Sequence, residues 1–191
     1  MSNDQQIVEA CIRQERVAQR KLYEQFSGKL FGVAMRYMKD REEAQDVLQD
    51  AFVKIFRKID TFRFDCPLEA WMRKIVVNTA LKVLQKNAQM KWVDIDGQYD
   101  LEDQNQQNLG LENMKMDTLL GMVNELPEGS RMVFNLYAIE GYKHHEIAEM
   151  LGINEGTSKS QYSRAKNLLS EKIVKENNRL AKSRSEYERG F

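Results

Sequence analysis

Proline is nearly absent: only Pro67 and Pro127 occur in 191 residues. With so few breakers, and with apolar residues recurring three and four apart over long stretches, an all-α fold is expected. Cysteine is equally scarce. Cys11 and Cys66 stand in no paired-Cys or Cys/His spacing, which argues against a structural zinc site and leaves two free thiols. No apolar run approaches the roughly 20 residues that cross a bilayer, so no direct membrane insertion is expected. The opening stretch MSNDQQIVEAC has neither the basic nor the apolar segment of a secretory signal, and the cytoplasm is the expected compartment. A Gly-rich phosphate loop is missing too, and no nucleophile, base and acid fall together by spacing. A non-enzyme that holds no cofactor is therefore expected. His144, His145 and Glu146 invite a metal, but adjacent histidines on a helix point in different directions. A structural role near the helix start is expected instead, with no metal bound.

Net charge is also missing, since 29 basic residues balance 29 acidic ones. The balance hides a segregation. From Met72 to Trp92 the chain carries Arg73, Lys74, Lys82, Lys86 and Lys91 without an acid. Between Val93 and Met114 lie Asp94, Asp96, Asp100, Glu102, Asp103 and Glu112 without a Lys or Arg, and past Gly156 bases again outnumber acids. A basic segment on each side of an acidic connector predicts two sites for a polyanion; ordinary solvated helix faces are the plainer alternative.

What is present is helical periodicity. Ile7, Val8, Cys11 and Ile12 form a first stripe, and Leu22, Phe26, Leu30, Val33, Ala34 and Tyr37 a second. Asp40 and the acids after it suit a helix start, followed by a broad stripe of Ala44, Val47, Leu48, Ala51, Phe52, Ile55 and Phe56. Pro67 fits the first turn of the next helix. Residues 88–113 break the pattern and read as a linker in which Trp92, Val93 and Ile95 can dock locally. Periodicity returns through Leu119, Leu120, Val123 and Leu126, and after Pro127 through Val133, Leu136 and Tyr137. The tail from Ala181 has mixed charge and few apolar residues, and disorder is expected there. Two small helical domains joined by an acidic linker account for all of this.

The stretch HHEIAEMLGINEGTSKSQYSRAKNLL, residues 144–169, is the most informative. Ile147, Ala148 and Leu151 give a helix its buried face, Gly152 sits where a left-handed residue would end it, and Asn154 or Thr157 can cap the helix that follows. That second helix is expected to carry SKSQYSR on its exposed side. Two helices around a short turn, the second polar, form a helix-turn-helix pattern suited to the major groove. On the helix from Leu68, Met72, Ile75, Val76 and Val83 are expected to make an apolar face, with Lys74, Asn78, Lys82, Gln85 and Lys86 lining another. A basic stripe with an amide in its middle suits a nucleic-acid backbone with one base-edge contact.

Two longer segments carry a family resemblance. LPEGSRMVFNLYAIEGYKHHEIAEMLGINEGTSKSQYSRAKNLL resembles region four of bacterial sigma factors, and REEAQDVLQDAFVKIFRKIDTFRFDCPLEAWMRKIVVNTALKVL resembles region two. With little before region two and only a tether between the regions, the chain resembles an extracytoplasmic-function sigma factor. The resemblance implies region two at 5–90, a flexible acidic linker at 91–113, region four at 114–175 and a tail at 176–191. It implies that Lys159, Ser160, Ser163 and Arg164 face the major groove of the minus-thirty-five element, with Thr157 and Lys166 nearer the phosphates. Ser158 stands where the family usually has an aliphatic residue. Asn78, with Lys74 and Lys82, is placed on the minus-ten element. The loop from Asp60 to Cys66, with Phe62, Arg63, Phe64 and Asp65, would pocket a base turned out of the duplex. Packing under the loop is an even alternative for Phe62, so Phe64 is the better candidate; Trp71 reads as core. Asp46, Gln49 and Asp50 would meet the clamp helices of the largest subunit of core RNA polymerase. The resemblance adds the flap of the second-largest subunit, promoter DNA and an anti-sigma factor as partners. The acidic linker would thread toward the RNA exit path.

Two other classes compete. A helix-turn-helix regulator of intact duplex DNA would leave the stripe around Asn78 and the aromatic loop without a task. A helical interaction module or enzyme is the least supported, for want of any catalytic constellation.

Overall fold

The structure, a computed structural model, describes residues 3–86 and 116–189. The expected linker at 91–113, with Trp92, Val93 and Ile95, lies outside the described residues. Among the described residues there is helix and turn and no strand, and the chain divides into two compact units at Gln89/Met90.

The first unit is built from α1 (Asn3–Ile12), α2 (Arg16–Met35), α3 (Arg41–Lys58), a short 3-10 turn (Ile59–Thr61) and α4 (Leu68–Lys86). The chain reverses after α1 at Gln14, whose φ is 59°; its N–H donates to the Cys11 carbonyl at 2.9 Å and that of Glu15 to Ala10 at 3.1 Å. Asp40 caps α3 as its position predicts. Its Oδ1 accepts from the Glu43 N–H at 2.9 Å, and Glu43 Oε2 accepts from the Lys39 N–H at 3.2 Å. Such a cap contributes about 1 kcal/mol. Glu42 and Glu43 in the first turn and Arg57 and Lys58 in the last complement the helix dipole. Pro67 sits just ahead of α4, and its carbonyl accepts from Ala70 and Trp71 at 2.9 and 3.2 Å.

Helices α2, α3 and α4 pack pairwise and α1 crosses α2, closing a core around Leu22, Leu30, Tyr37, Ile55, Leu68, Met72 and Val76. Two expectations need correction. Ile12 is 47% exposed, because α1 ends there and its side chain reaches only a surface groove bordered by Phe56 and Ile59. On α4, Ile75 and Val83 are half-buried at the rim. The buried arc instead runs through Val76, Val77, Ala80, Leu81 and Leu84, since α4 is covered by both α2 and α3 and a two-sided contact widens the stripe.

The second unit contains α5 (Met116–Asn124), α6 (Glu128–Phe134) continuing into a π turn (Asn135–Ile139), α7 (His144–Leu151) and α8 (Glu155–Arg189). Helices α5, α6 and α7 each contact α8. Met132, Val133, Leu136, Ile147, Leu151, Ala165, Leu169 and Ile173 are buried between them, and Lys172 of α8 pairs with Glu125 beyond the end of α5. Helix α8 runs unbroken past the expected domain end at 175 and through the expected disordered tail to Arg189. Its outer turns hold strong helix formers, no Pro and no Gly before 190, and an Arg179–Glu176 pair at 2.8 Å, so nothing local stops the helix.

Candidate nucleic-acid interface

In the second unit the turn between α7 and α8 forms as its residues dictate. Glu146 Oε2 accepts from the Lys143 N–H at 2.7 Å and opens α7. Gly152 at φ 69° closes it, and a left-handed residue there is one that glycine adopts without strain. Of the two expected caps for α8, Asn154 does the work: its Oδ1 accepts from the Thr157 N–H at 2.6 Å. Lys159 is exposed and pairs with Glu155 at 2.7 Å. Thr157, Ser160, Ser163, Arg164 and Lys166 are half-buried. The Ser160 hydroxyl donates back to the Thr157 carbonyl at 3.0 Å, and Lys166 Nζ lies 5.3 Å from the centre of the Tyr162 ring. Lys159, Ser160, Ser163 and Arg164 share the side of α8 opposite its buried row.

That buried row corrects the expectation that SKSQYSR lies outward. Ser158 is 0% and Gln161 3% exposed. Ser158 Oγ hydrogen-bonds His144 Nδ1 at 2.9 Å, and the Ser130 hydroxyl donates to Gln161 Oε1 at 2.7 Å. The His144 ring stacks on Tyr137 at 4.3 Å and 14°, which gives this histidine the structural role expected of it. Among the described residues no group of His, Cys, Asp and Glu is placed to hold a metal ion, and no helix is long and apolar enough to cross a membrane.

Burial, and then the charge of Lys159, hold the His144 imidazole below its ordinary 6.5, with Glu155 opposing. The unfolded chain therefore takes up this proton more readily than the folded one. Stability from His144 is complete above its unfolded value and falls as the pH drops through 6.5 toward the lower folded value. Denaturant midpoints of the second unit recorded from about pH 8 to about pH 5 should fall, and should fall less in His144→Asn, which removes the titrating group. Parallel curves for the two proteins would contradict this assignment.

In the first unit α4 turns its predicted stripe outward: Lys74, Asn78, Lys82, Gln85 and Lys86 are all exposed. On the same helix Glu69 pairs with Lys29 at 2.7 Å and fastens α4 to α2. Next to the start of α4 stands the aromatic loop. Phe64 takes φ 61°, uncommon for a bulky residue, and leaves its ring 44% exposed. Phe62 is only 7% exposed, with ring centres 4.7 Å from Phe64 and 5.4 Å from Trp71. Of the two alternatives for Phe62, packing under the loop describes it, because Phe64 covers one side and Trp71 another. Arg63, Asp65 and Cys66 are exposed, and both cysteines are free, Cys11 being buried.

On α3, Asp46, Gln49 and Asp50 are exposed as predicted. Sequence reasoning missed an apolar member of that face: Val53 is 48% exposed. The spacing 46, 49, 50, 53 is itself the signal that could have found it. Tyr23 of α2, 42% exposed, lies 4.6 Å by ring centre from Phe52.

Each unit coincides with a known family. The profile of Sigma-70 region 2 matches residues 22–89, and that of Sigma-70, region 4 matches residues 116–169. The chain is 29% identical over 173 residues to the RNA polymerase sigma-H factor of Pseudomonas aeruginosa, covering 85% of this chain and 90% of that protein. It is 28% identical over 180 residues to the ECF RNA polymerase sigma-E factor of Escherichia coli K12, covering 89% and 94%. Among solved structures it is similar to the sigma factor RpoE of Bartonella quintana, determined with the anti-sigma factor NepR, with a TM-score of 0.48 and 24% identity over 82% of this chain and 96% of that one. Two sigma-70 regions in this order, each folded as a separate helical unit, belong to a transcription initiation factor. The chain belongs to the sigma-70 family and is an extracytoplasmic-function RNA polymerase sigma factor.

Proposed function

We propose that this chain brings core RNA polymerase to a set of promoters by reading the minus-thirty-five element as duplex and holding the melted minus-ten strand. The observation that carries the proposal is the pair of surfaces on separate units: the capped α8 start with Lys159, Ser160, Ser163 and Arg164, and the outward stripe of Lys74, Asn78 and Lys82 beside Phe64. A helix start laid in the major groove puts Lys and Arg on guanine edges or phosphates and serines on bases, while Thr157 and Lys166 reach the flanking phosphates. The other surface suits a single strand. Turning a base out of the duplex costs a few kcal/mol, and stacking on an aromatic face returns about 1 to 3. Phe64 supplies that face, Phe62 its floor, and Arg63 and Asp65 a cation and an acceptor at its rim.

Asp46, Gln49 and Asp50, with Val53 beside them, are assigned to the clamp helices of the largest polymerase subunit; the second unit is assigned to the flap of the second-largest. On family membership alone, an anti-sigma factor is a further partner, and the cytoplasm is where the polymerase is met. The chain itself performs no covalent chemistry in this scheme. The test is run-off transcription on genomic promoter fragments with purified core polymerase, with core alone as control. Initiation at defined start sites that depends on this protein is the expected result. A chain that neither binds core nor supports initiation, yet shifts duplex DNA alone, would be a conventional helix-turn-helix regulator.

A further inference from the structure

Three buried polar side chains, Ser130, Ser158 and Gln161, and the half-buried His144 face one another in two pairs in the second unit, and both pairs end on α8. His144, the first residue of α7, reaches Ser158 at 2.9 Å, and Ser130 of α6 reaches Gln161 at 2.7 Å. Ser130 and Ser158 are both 0% exposed. Below them the contact is apolar, through Ala165, Leu169 and Ile173. We infer that the pairs His144–Ser158 and Ser130–Gln161 act as positioning residues that fix the rotation of α8 about its own axis, and thereby decide which side chains reach the bases. The inference rests on the assignment of α8 as the minus-thirty-five reader.

The geometry supports this in three ways. Positions 158 and 161 lie about 60° apart around a helix of 3.6 residues per turn, and their partners come from two different helices. One anchor would leave α8 free to roll about it; two do not. Second, the apolar row is a poor brake, because burial is non-directional and Ala165 offers only a methyl group to grip. A roll of about 15° moves a side-chain tip some 5–6 Å from the axis by about 1.5 Å, more than the whole range over which a hydrogen bond survives. The two bonds, not the apolar row, therefore oppose such a roll most steeply.

Third, the anchors are themselves held. The His144 ring is fixed by stacking on Tyr137; Tyr137 in turn lies 4.5 Å from Tyr162, and Lys166 Nζ sits over the Tyr162 ring. Rotating α8 would break this ladder and carry Lys166 with it. Lys159, Ser160, Ser163 and Arg164 lie on the opposite side of the helix from 158, 161, 165 and 169, so the clasp orients them without touching DNA.

The test uses the full chain assembled with core polymerase and a promoter fragment identified by run-off transcription. Each base pair of the minus-thirty-five element is substituted in turn, and relative affinities are measured by competition at one salt concentration. The proteins compared are wild type, Ser158→Ala, the double variant Ser158→Ala with Gln161→Leu, and His144→Asn, whose side-chain amide keeps a hydrogen-bonding atom close to the position of Nδ1. The double variant should lose roughly fivefold in preference for the best sequence over singly substituted ones, with its affinity for unrelated DNA and its salt dependence unchanged. His144→Asn, which keeps a hydrogen-bonding atom but loses the ring stack on Tyr137, should lose less preference than Ser158→Ala. If the double variant does not fold, Ser158→Ala gives the same comparison at one anchor. A lowered melting temperature with an unaltered preference profile would show a merely structural role and overturn the inference, as would a loss in His144→Asn equal to that in Ser158→Ala. A wild-type protein without any preference at these positions would overturn the assignment of α8 itself.

Discussion

Asn78→Ala should lower open-complex formation by about 5- to 150-fold, the equivalent of the ~1–3 kcal/mol attached to one well-made base contact, while leaving the melting temperature unchanged. Asn78 is exposed at the middle of the α4 stripe, on the side away from Met72, Val76 and Ala80, and surface substitutions clear of the core usually stay within about 0.5 kcal/mol. Its neighbours Lys74 and Lys82 are exposed as well and should behave differently. Replacing either by Ala removes a phosphate contact, weakens binding to every promoter alike and reduces the salt slope by about 0.7 for a single strand. Permanganate reactivity of thymines in the melted strand, followed with time, reads the opening step directly. Unchanged reactivity in Asn78→Ala would remove this amide from strand capture and leave that task to Lys74, Lys82 and the Phe64 loop.

The other large effect is expected from Leu136→Ala. Leu136 is 0% exposed and lies in the π turn that joins α6 to the α7 start, against the same core as Met132, Ile147 and Leu169. Truncating a buried Leu to Ala costs about 2–5 kcal/mol through lost transfer energy and the cavity left behind. A unit of this size has a small core, and domains near 60 residues are marginal to begin with. Amide exchange is the suitable measurement: protection should collapse across α6, α7 and the first half of α8 while amides of α2, α3 and α4 stay protected. The same variant should then fail at promoters that need the minus-thirty-five contact. Protection retained throughout would mean that the second unit draws its stability from contacts other than this core.

Much of the fold could be read directly from residue chemistry. Asp40 and Asn154 cap helices because a short side-chain oxygen can reach the N–H three residues on, and Gly152 ends one because it alone takes φ 69° freely; neither depends on tertiary structure. The stripe from Leu22 to Tyr37 is buried throughout for the same reason, its period being that of the helix. Where legibility failed, partners distant in sequence decided the outcome. Ser158 and Gln161 look like surface residues until His144 and Ser130 are found opposite them, and polarity alone does not distinguish a solvated hydroxyl from one satisfied inside. Phe62 and Phe64 are the same residue two positions apart; a single backbone angle at Phe64 and the presence of Trp71 make one a floor and the other an open face. Val53 shares the polar face of α3 by spacing, but Val47 and Ile55 of the same helix are buried, and residue type alone does not separate an exposed valine from a core one.

Helix α8 begins at the cap beside the residues proposed to face DNA and does not end until Arg189. Thirty-five residues make a rod about 52 Å long; among the side chains described, Ile173 is the last in the core, and the two turns from Val174 to Leu180 that follow it carry no buried residue, like the foot of a mast. Its carboxy-terminal end is thus coupled to the turn between α7 and α8 by a continuous helical shaft instead of a floppy leash. A fluorophore fixed rigidly near the masthead would tumble with the reading head and report its capture by a promoter as a rise in anisotropy, from a point far enough away to leave the bases undisturbed.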